Sequence, residues 1–88
     1  MIKVLVSILG IKTAYDKTEI EISPQSNLKS LIAELPAENL NVLLDKDGNL
    51  RRHLVLQVNK KRILPGKAAE CILENEDEIV IYLPVSGG

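Results

Sequence analysis

Ile2, Val4, Val6 and Ile8 alternate with Lys3, Leu5, Ser7 and Leu9, the period of two that a β-strand imposes on its side chains. The second set is itself partly apolar, which predicts a central strand with neighbours on both sides. Lys12 to Lys17 is polar, and Glu19-Ile20-Glu21-Ile22 then alternates strictly. A second strand is expected there, with Ile20 and Ile22 inward, forming a hairpin with the first.

After the turn signal Ser23-Pro24, the spacing of Leu28, Leu31, Ile32 and Leu35 predicts a short amphipathic helix, capped by Ser26 and stopped by Pro36. A weaker helical turn is expected over Ala37 to Leu44. Asp45-Lys46-Asp47-Gly48-Asn49 reads as a loop, since Gly48 and Asn49 tolerate positive φ. Leu54, Leu56 and Val58 alternate as a third strand, and Asn59-Lys60-Lys61 turns it into a short Arg62-Ile63-Leu64 strand before Pro65-Gly66. Ile79, Ile81 and Leu83 alternate with Val80 and Tyr82, so the last strand is also apolar on both faces and central.

The two strands suited to the middle of a sheet are therefore the first and the last. Pairing them in parallel, with the helix crossing one face right-handedly and a hairpin on each flank, is the economical arrangement. This is an α+β fold, a β-grasp, with a mixed sheet and one main helix. Residues 1–83 form the domain, and residues 84–88 follow as a flexible tail with too little apolar surface to pack.

Composition narrows the function. Eighty-eight residues provide one small core, and a formal net charge of −1 provides no global field for nucleic acid or acidic lipid. Lys12 ends the first apolar run far short of the ~20 residues a membrane helix needs, so no anchor or export signal is expected. Cys71 and His53 are each the single residue of their type, which excludes an internal disulfide and a four-cysteine iron–sulfur cluster. This usage fits a reducing cytoplasm. The chain also lacks a phosphate-binding glycine loop, an HExxH pattern and paired zinc-ligand spacing, so the parts of a stand-alone enzyme are missing.

Chemistry concentrates at the end, Leu83-Pro84-Val85-Ser86-Gly87-Gly88. Glycines without Cβ atoms can be threaded through a narrow channel, which an enzyme needs if it is to bring a protein's own carboxylate to a nucleotide phosphate. With this tail and its strand order, the whole chain resembles the MoaD/ThiS ubiquitin-like sulfur carriers. The Leu50-Arg51-Arg52-His53 stretch, the Val58-Asn59 turn and the Glu76-Asp77-Glu78-Ile79 approach are similar to the longer molybdopterin-type members.

The resemblance implies that an E1-like enzyme uses ATP to adenylate Gly88, and that a sulfur donor then converts the acyl-adenylate to a thiocarboxylate. Gly87, Ser86, Val85 and Pro84 would form the arm inserted into each partner. An acceptor enzyme would receive the sulfur, with this chain as its small subunit in one version. Ser86 stands where alanine is frequent, a small-for-small exchange. Molybdopterin, thiamine, cysteine and tRNA-thiolation carriers share such a tail. No bound cofactor is implied, since the ATP belongs to the partner.

Other readings compete. A ubiquitin-like modifier would join Gly88 to lysines through the same activated carboxylate, and a passive β-grasp module would not use its tail. Cys71, in Ala68-Ala69-Glu70-Cys71-Ile72-Leu73, reads as a buried core thiol, though spacing alone permits a Cys71–His53 dyad. Asp45 to Gly48 is not a calcium loop, because the twelfth position is Leu56. Lys60, Lys61, Arg62 and Lys67, with Arg51 and Arg52 near them, form a basic cluster that reads as a solvated hairpin or a protein-docking patch. With no phenylalanine or tryptophan to stack on bases, nucleic acid is a poor partner. Glu74, Glu76, Asp77 and Glu78 read as a solvated loop or as a contact for the activating enzyme's basic surface.

Overall fold

The computed structural model describes residues 1–10 and 15–83. Strands β1 (Ile2–Leu9) and β2 (Tyr15–Ile22) precede helices α1 (Leu28–Ala33) and α2 (Ala37–Leu43). Strands β3 (Val55–Val58) and β4 (Lys61–Ile63), a 3-10 helix over Pro65–Glu70, and β5 (Glu78–Tyr82) complete the chain. The five strands make one sheet in the order β2-β1-β5-β3-β4. β1 and β5 are parallel at its centre, and every other pairing is antiparallel. The β-grasp expectation holds, including both central strands.

The core lies between one sheet face and the helices. Val4, Val6, Ile8, Leu56, Ile79 and Ile81 point inward from the strands, and Leu28, Leu31 and Ile32 of α1 meet them, all of them buried. Each such side chain contributes about 1.5–3 kcal/mol when taken fully out of water. A six-residue helix is far too short to be stable by itself, so this burial is what holds α1.

The cap is Asn27, not Ser26. Asn27 is in extended conformation, and its Oδ1 accepts the Ser30 amide at 2.7 Å, the third helical position that a capping side chain reaches. The Ser26 hydroxyl instead donates to the Ser23 carbonyl at 2.7 Å. The helix also closes earlier than expected, at Ala33. Proline disfavours helical backbone in the residue before it, so Leu35 stands beyond the helix end but is still buried.

Strand boundaries shift by small amounts for local reasons. β2 begins at Tyr15 rather than Glu19, because antiparallel pairing carries it along β1 past a register shift between Val6 and Ile8. There the Ser7 hydroxyl accepts the Lys17 amide at 2.9 Å. The β3–β4 turn uses Asn59 and Lys60, both at positive φ (53° and 71°), the pattern of a type I′ hairpin. Lys61 consequently belongs to β4, and Leu64 falls outside it. The 3-10 helix over Pro65–Glu70 was not expected; a proline at its first position favours it.

Asn59 does more than turn the chain. Its amide nitrogen donates to the Glu78 carbonyl at 2.8 Å, and its Oδ1 accepts the Glu78 amide at 2.9 Å. Its Nδ2 donates to Asp77 Oδ1 at 2.8 Å, while Asp77 Oδ2 accepts the Glu74 amide at 2.7 Å. The acidic segment expected as a solvated loop is thus fastened to the hairpin and sets the start of β5. Asn59→Ala should cost about 1–3 kcal/mol in urea unfolding, from lost hydrogen bonds and a left-handed backbone that alanine resists. Asn59→Gly should cost less, since glycine retains that backbone.

Candidate functional site

The tail residues Pro84, Val85, Ser86, Gly87 and Gly88 lie outside the described residues. What the fold supplies is the place from which they depart. β5 ends at Tyr82, paired on one side with Leu9 and on the other with Val55. The Leu83 amide then donates to the Leu9 carbonyl at 3.0 Å, so the chain is held to β1 up to its last described residue.

Gly10 completes this anchor, and the sequence reading missed it. Its φ is +90°, and a Cβ there would overlap the Leu83 carbonyl oxygen. Only glycine allows the two backbones to pass so closely at that angle. The one signal in the sequence was a glycine directly after a strand, which turn chemistry also explains.

Beside the exit lies the sheet face that carries no helix among the described residues. The inward residues alternate with outward ones, which places Leu5, Ser7 and Leu9 of β1, Glu78, Val80 and Tyr82 of β5, and Val55 and Gln57 of β3 on this face. Leu9 and Tyr82 are each 43% exposed and face each other across the central pair. The apolar strip of Leu5, Leu9, Val80 and Tyr82 is interrupted on β1 by the buried Ser7 and is most exposed at the tail's point of departure. Charged residues border it, among them Lys3 and Glu19, whose 3.8 Å ion pair is exposed and contributes little.

The basic residues do not form one patch. Lys60 and Lys61 sit at the turn beside the start of β5, since Val58 pairs with both Lys61 and Ile79. Arg51, Arg52 and His53 precede β3 at the opposite end, where Val55 pairs with Tyr82. Arg51 is fastened to the end of α2, its Nε donating to the Val42 carbonyl at 2.9 Å and its amide to the Leu43 carbonyl at 3.1 Å. Arg52 and His53 are exposed. Lys67 pairs with Glu70 at 3.4 Å.

The same separation removes the Cys71–His53 dyad. Cys71 lines a groove with Asn59, Lys61 and Asp77 at the turn end of the sheet, whereas His53 is at the tail end. Cys71 is half-buried rather than fully buried. Burial pushes its thiol pKa up, and the negative charge of Asp77 pushes it further. The Asp45 turn has no metal-loop character either: Asp45 Oδ1 accepts the Asp47 and Asn49 amides at 2.8 and 3.1 Å, and the positive φ in this loop falls on Gly48. Among the described residues, no three His, Cys, Asp or Glu side chains gather as metal ligands, and no helix is long and apolar enough to cross a membrane.

Comparison with known proteins places this geometry. The family model described as the ThiS family matches residues 6–88. Among solved structures, SAMP1 from Haloferax volcanii superposes with a TM-score of 0.80 at 16% identity, covering 98% of this chain and 99% of that one. A second structure, H. volcanii small archaeal modifier protein 1, gives 0.79 at 13% identity, covering 97% and 100%. The Haloferax volcanii HVO 2177 protein gives 0.76 at 15% identity, covering 99% and 87%. No curated protein matches the sequence.

Three outcomes test the exit anchor and the Cys71 environment. Gly10→Ala should destabilise the fold by about 1–3 kcal/mol through backbone strain and shift the Leu83 amide resonance, while distant amides stay in place. Cys71 should react with iodoacetamide more slowly than free cysteine near pH 8, because its raised pKa leaves less thiolate. Its contribution to stability should be full below the free-thiol pKa of about 8.5 and be lost as pH climbs through the raised value. A Cys71→Ser variant should lack that alkaline loss in a denaturation series against pH.

Proposed function

Since this chain belongs to the ThiS family, we propose that it is a ubiquitin-like sulfur carrier whose working atoms are those of the Gly88 carboxylate. The observation that carries the reading is the family match running through Gly88, on a fold whose central strand leads directly into the tail. A carboxylate is a poor electrophile until its oxygen becomes part of a good leaving group. An E1-like partner supplies this: a Gly88 oxygen attacks the α-phosphorus of ATP and pyrophosphate departs. Hydrosulfide then attacks the acyl carbon, AMP leaves and a thiocarboxylate results; a donor's persulfide gives an acyl disulfide by the same attack, and a thiol then cleaves its S–S bond, forming a disulfide with the donor and releasing the thiocarboxylate.

The chain is a substrate and carrier in this scheme, not the catalyst. Gly87, Ser86, Val85 and Pro84 serve as the arm that reaches into the partner. The apolar strip of Leu5, Leu9, Val80 and Tyr82 beside the exit is the surface we assign to the activating enzyme, because a partner drawing in the tail must also cover its root. A strip of this kind meets the usual make-up of an interface centre, apolar and aromatic within a charged rim.

For the acceptor we place molybdopterin synthesis first, with this chain as a small subunit of the synthase, ahead of thiamine, cysteine and tRNA thiolation. The Leu50-Arg51-Arg52-His53 stretch and the joined Asn59 and Asp77 elements support that order. The setting is the reducing cytoplasm, where Cys71 stays a thiol. A second reading has its own support: two of the similar structures are of a protein named as a small archaeal modifier. In that reading the activated Gly88 passes to a lysine amine instead of to sulfur.

Incubation with the cell's activating enzyme, ATP and sulfide should replace one oxygen of Gly88 by sulfur. Intact-mass measurement with fragmentation locates the change, and deletion of Gly88 should abolish it. A change confined to Met1 or Cys71 would sink the carrier reading, and Gly88 recovered on lysine side chains would favour the modifier. Tyr82→Ala should raise the carrier's KM in ATP–pyrophosphate exchange about tenfold, the loss of a mid-interface aromatic, with kcat little changed.

A further inference from the structure

The helix-bearing side of the molecule has a feature that tail chemistry does not use. Lys29 of α1, Asn49, Leu50 and Arg52 of the connection into β3, and Pro65 and Ala69 of the 3-10 helix enclose a cavity of about 270 Å³. Its lining holds two cations and no carboxylate. Among the described residues neither Lys29 nor Arg52 is in an ion pair, in contrast to nearby Lys67 with Glu70. Leu50, Pro65 and Ala69 provide apolar wall between the two charges.

This pattern fits an acidic segment bearing one apolar side chain: the side chain enters the cavity, and flanking carboxylates meet Lys29 and the Arg52 fork. A guanidinium can bind a carboxylate through two parallel hydrogen bonds. The cavity and the apolar strip lie on opposite faces of the sheet, so a protein seated on the strip leaves the Lys29 side of the cavity open, with Arg52 nearest the tail's exit. A carrier cycle that takes its sulfur from a donor protein uses such an arrangement. While the activating enzyme holds the acyl-adenylate, the protein that delivers sulfur must approach the same Gly88, and the helix-bearing side is the flank left to it.

We propose that the Lys29–Arg52 cavity docks an acidic segment of the sulfur-donating protein while the activating enzyme occupies the open sheet face. The inference rests on the carrier reading above and adds to it a second partner surface.

The test uses the full chain and the K29E/R52E double variant, both of whose replaced side chains are exposed; urea unfolding checks that the variant folds as the parent does. Three rates are compared: ATP–pyrophosphate exchange with the activating enzyme, sulfur gain at Gly88 with desalted cell lysate and cysteine as the source, and sulfur gain with sodium sulfide and no lysate. Exchange should be unchanged. Lysate-dependent sulfur gain should fall about tenfold, as expected when steering charges are reversed, and sulfide, which needs no donor protein, should restore the parent rate.

Each other outcome is decisive. Equal rates in all three assays overturn the proposal and leave the carrier reading standing. A fall in exchange assigns the cavity to the activating enzyme and also overturns it. A loss under sulfide equal to that under lysate does the same, because no donor protein is then involved. If the parent chain itself neither supports exchange nor gains sulfur, the carrier reading fails and this proposal with it.

Discussion

The parallel pairing of β1 and β5 is the constraint on which the rest of the molecule depends. Residues some seventy positions apart, such as Leu5 and Glu78, become partners at the centre of the sheet. Parallel strands cannot be joined by a tight turn, so the chain between them must cross over. That crossover holds α1, which seals the core, and it makes room for the β3–β4 hairpin on the far side of β5. The tail then leaves from the middle of the sheet, with a neighbouring strand on either side of its root, instead of from a loose edge.

Two faces and two ends of the sheet follow from that arrangement, and each differs chemically. One face is covered by α1, the 3-10 helix and the connection into β3, where Lys29 and Arg52 border a cavity. The other carries no helix among the described residues and holds Leu5, Leu9, Val80 and Tyr82 around the buried Ser7. The hairpin end carries Asn59, Lys61, Asp77 and the half-buried Cys71, while the exit end carries Gly10, Leu83, Arg52 and His53. Arg52 belongs both to the cavity rim and to the exit end, so these two surfaces meet there.

Much of this was legible in the sequence. Strands apolar on both faces, Ile2 to Leu9 and Ile79 to Leu83, announced a central pair, and Leu28, Leu31 and Ile32 announced the helix that covers it. Details set by tertiary contact were not legible. Asn27 outcompetes Ser26 as the cap because its backbone is extended and its oxygen lies at the reach of the Ser30 amide, a matter of geometry that residue type does not settle. Gly10 carried no signal specific to its role, since the chain it must admit, at Leu83, lies 73 residues away in sequence. The basic residues read as one patch because sequence proximity hides which end of a strand a loop occupies.

The rooting of the tail has a mechanical side. A partner that draws residues 84–88 into an active site pulls on β5 along its own axis. Hydrogen bonds to β1 on one side and β3 on the other then share the load together, in shear, whereas an edge strand pulled sideways would give up its bonds one at a time. Leu83, tied to Leu9 and passing close over Gly10, is where that load enters the sheet. The domain can thus serve as a rigid handle while its last residues are held under tension.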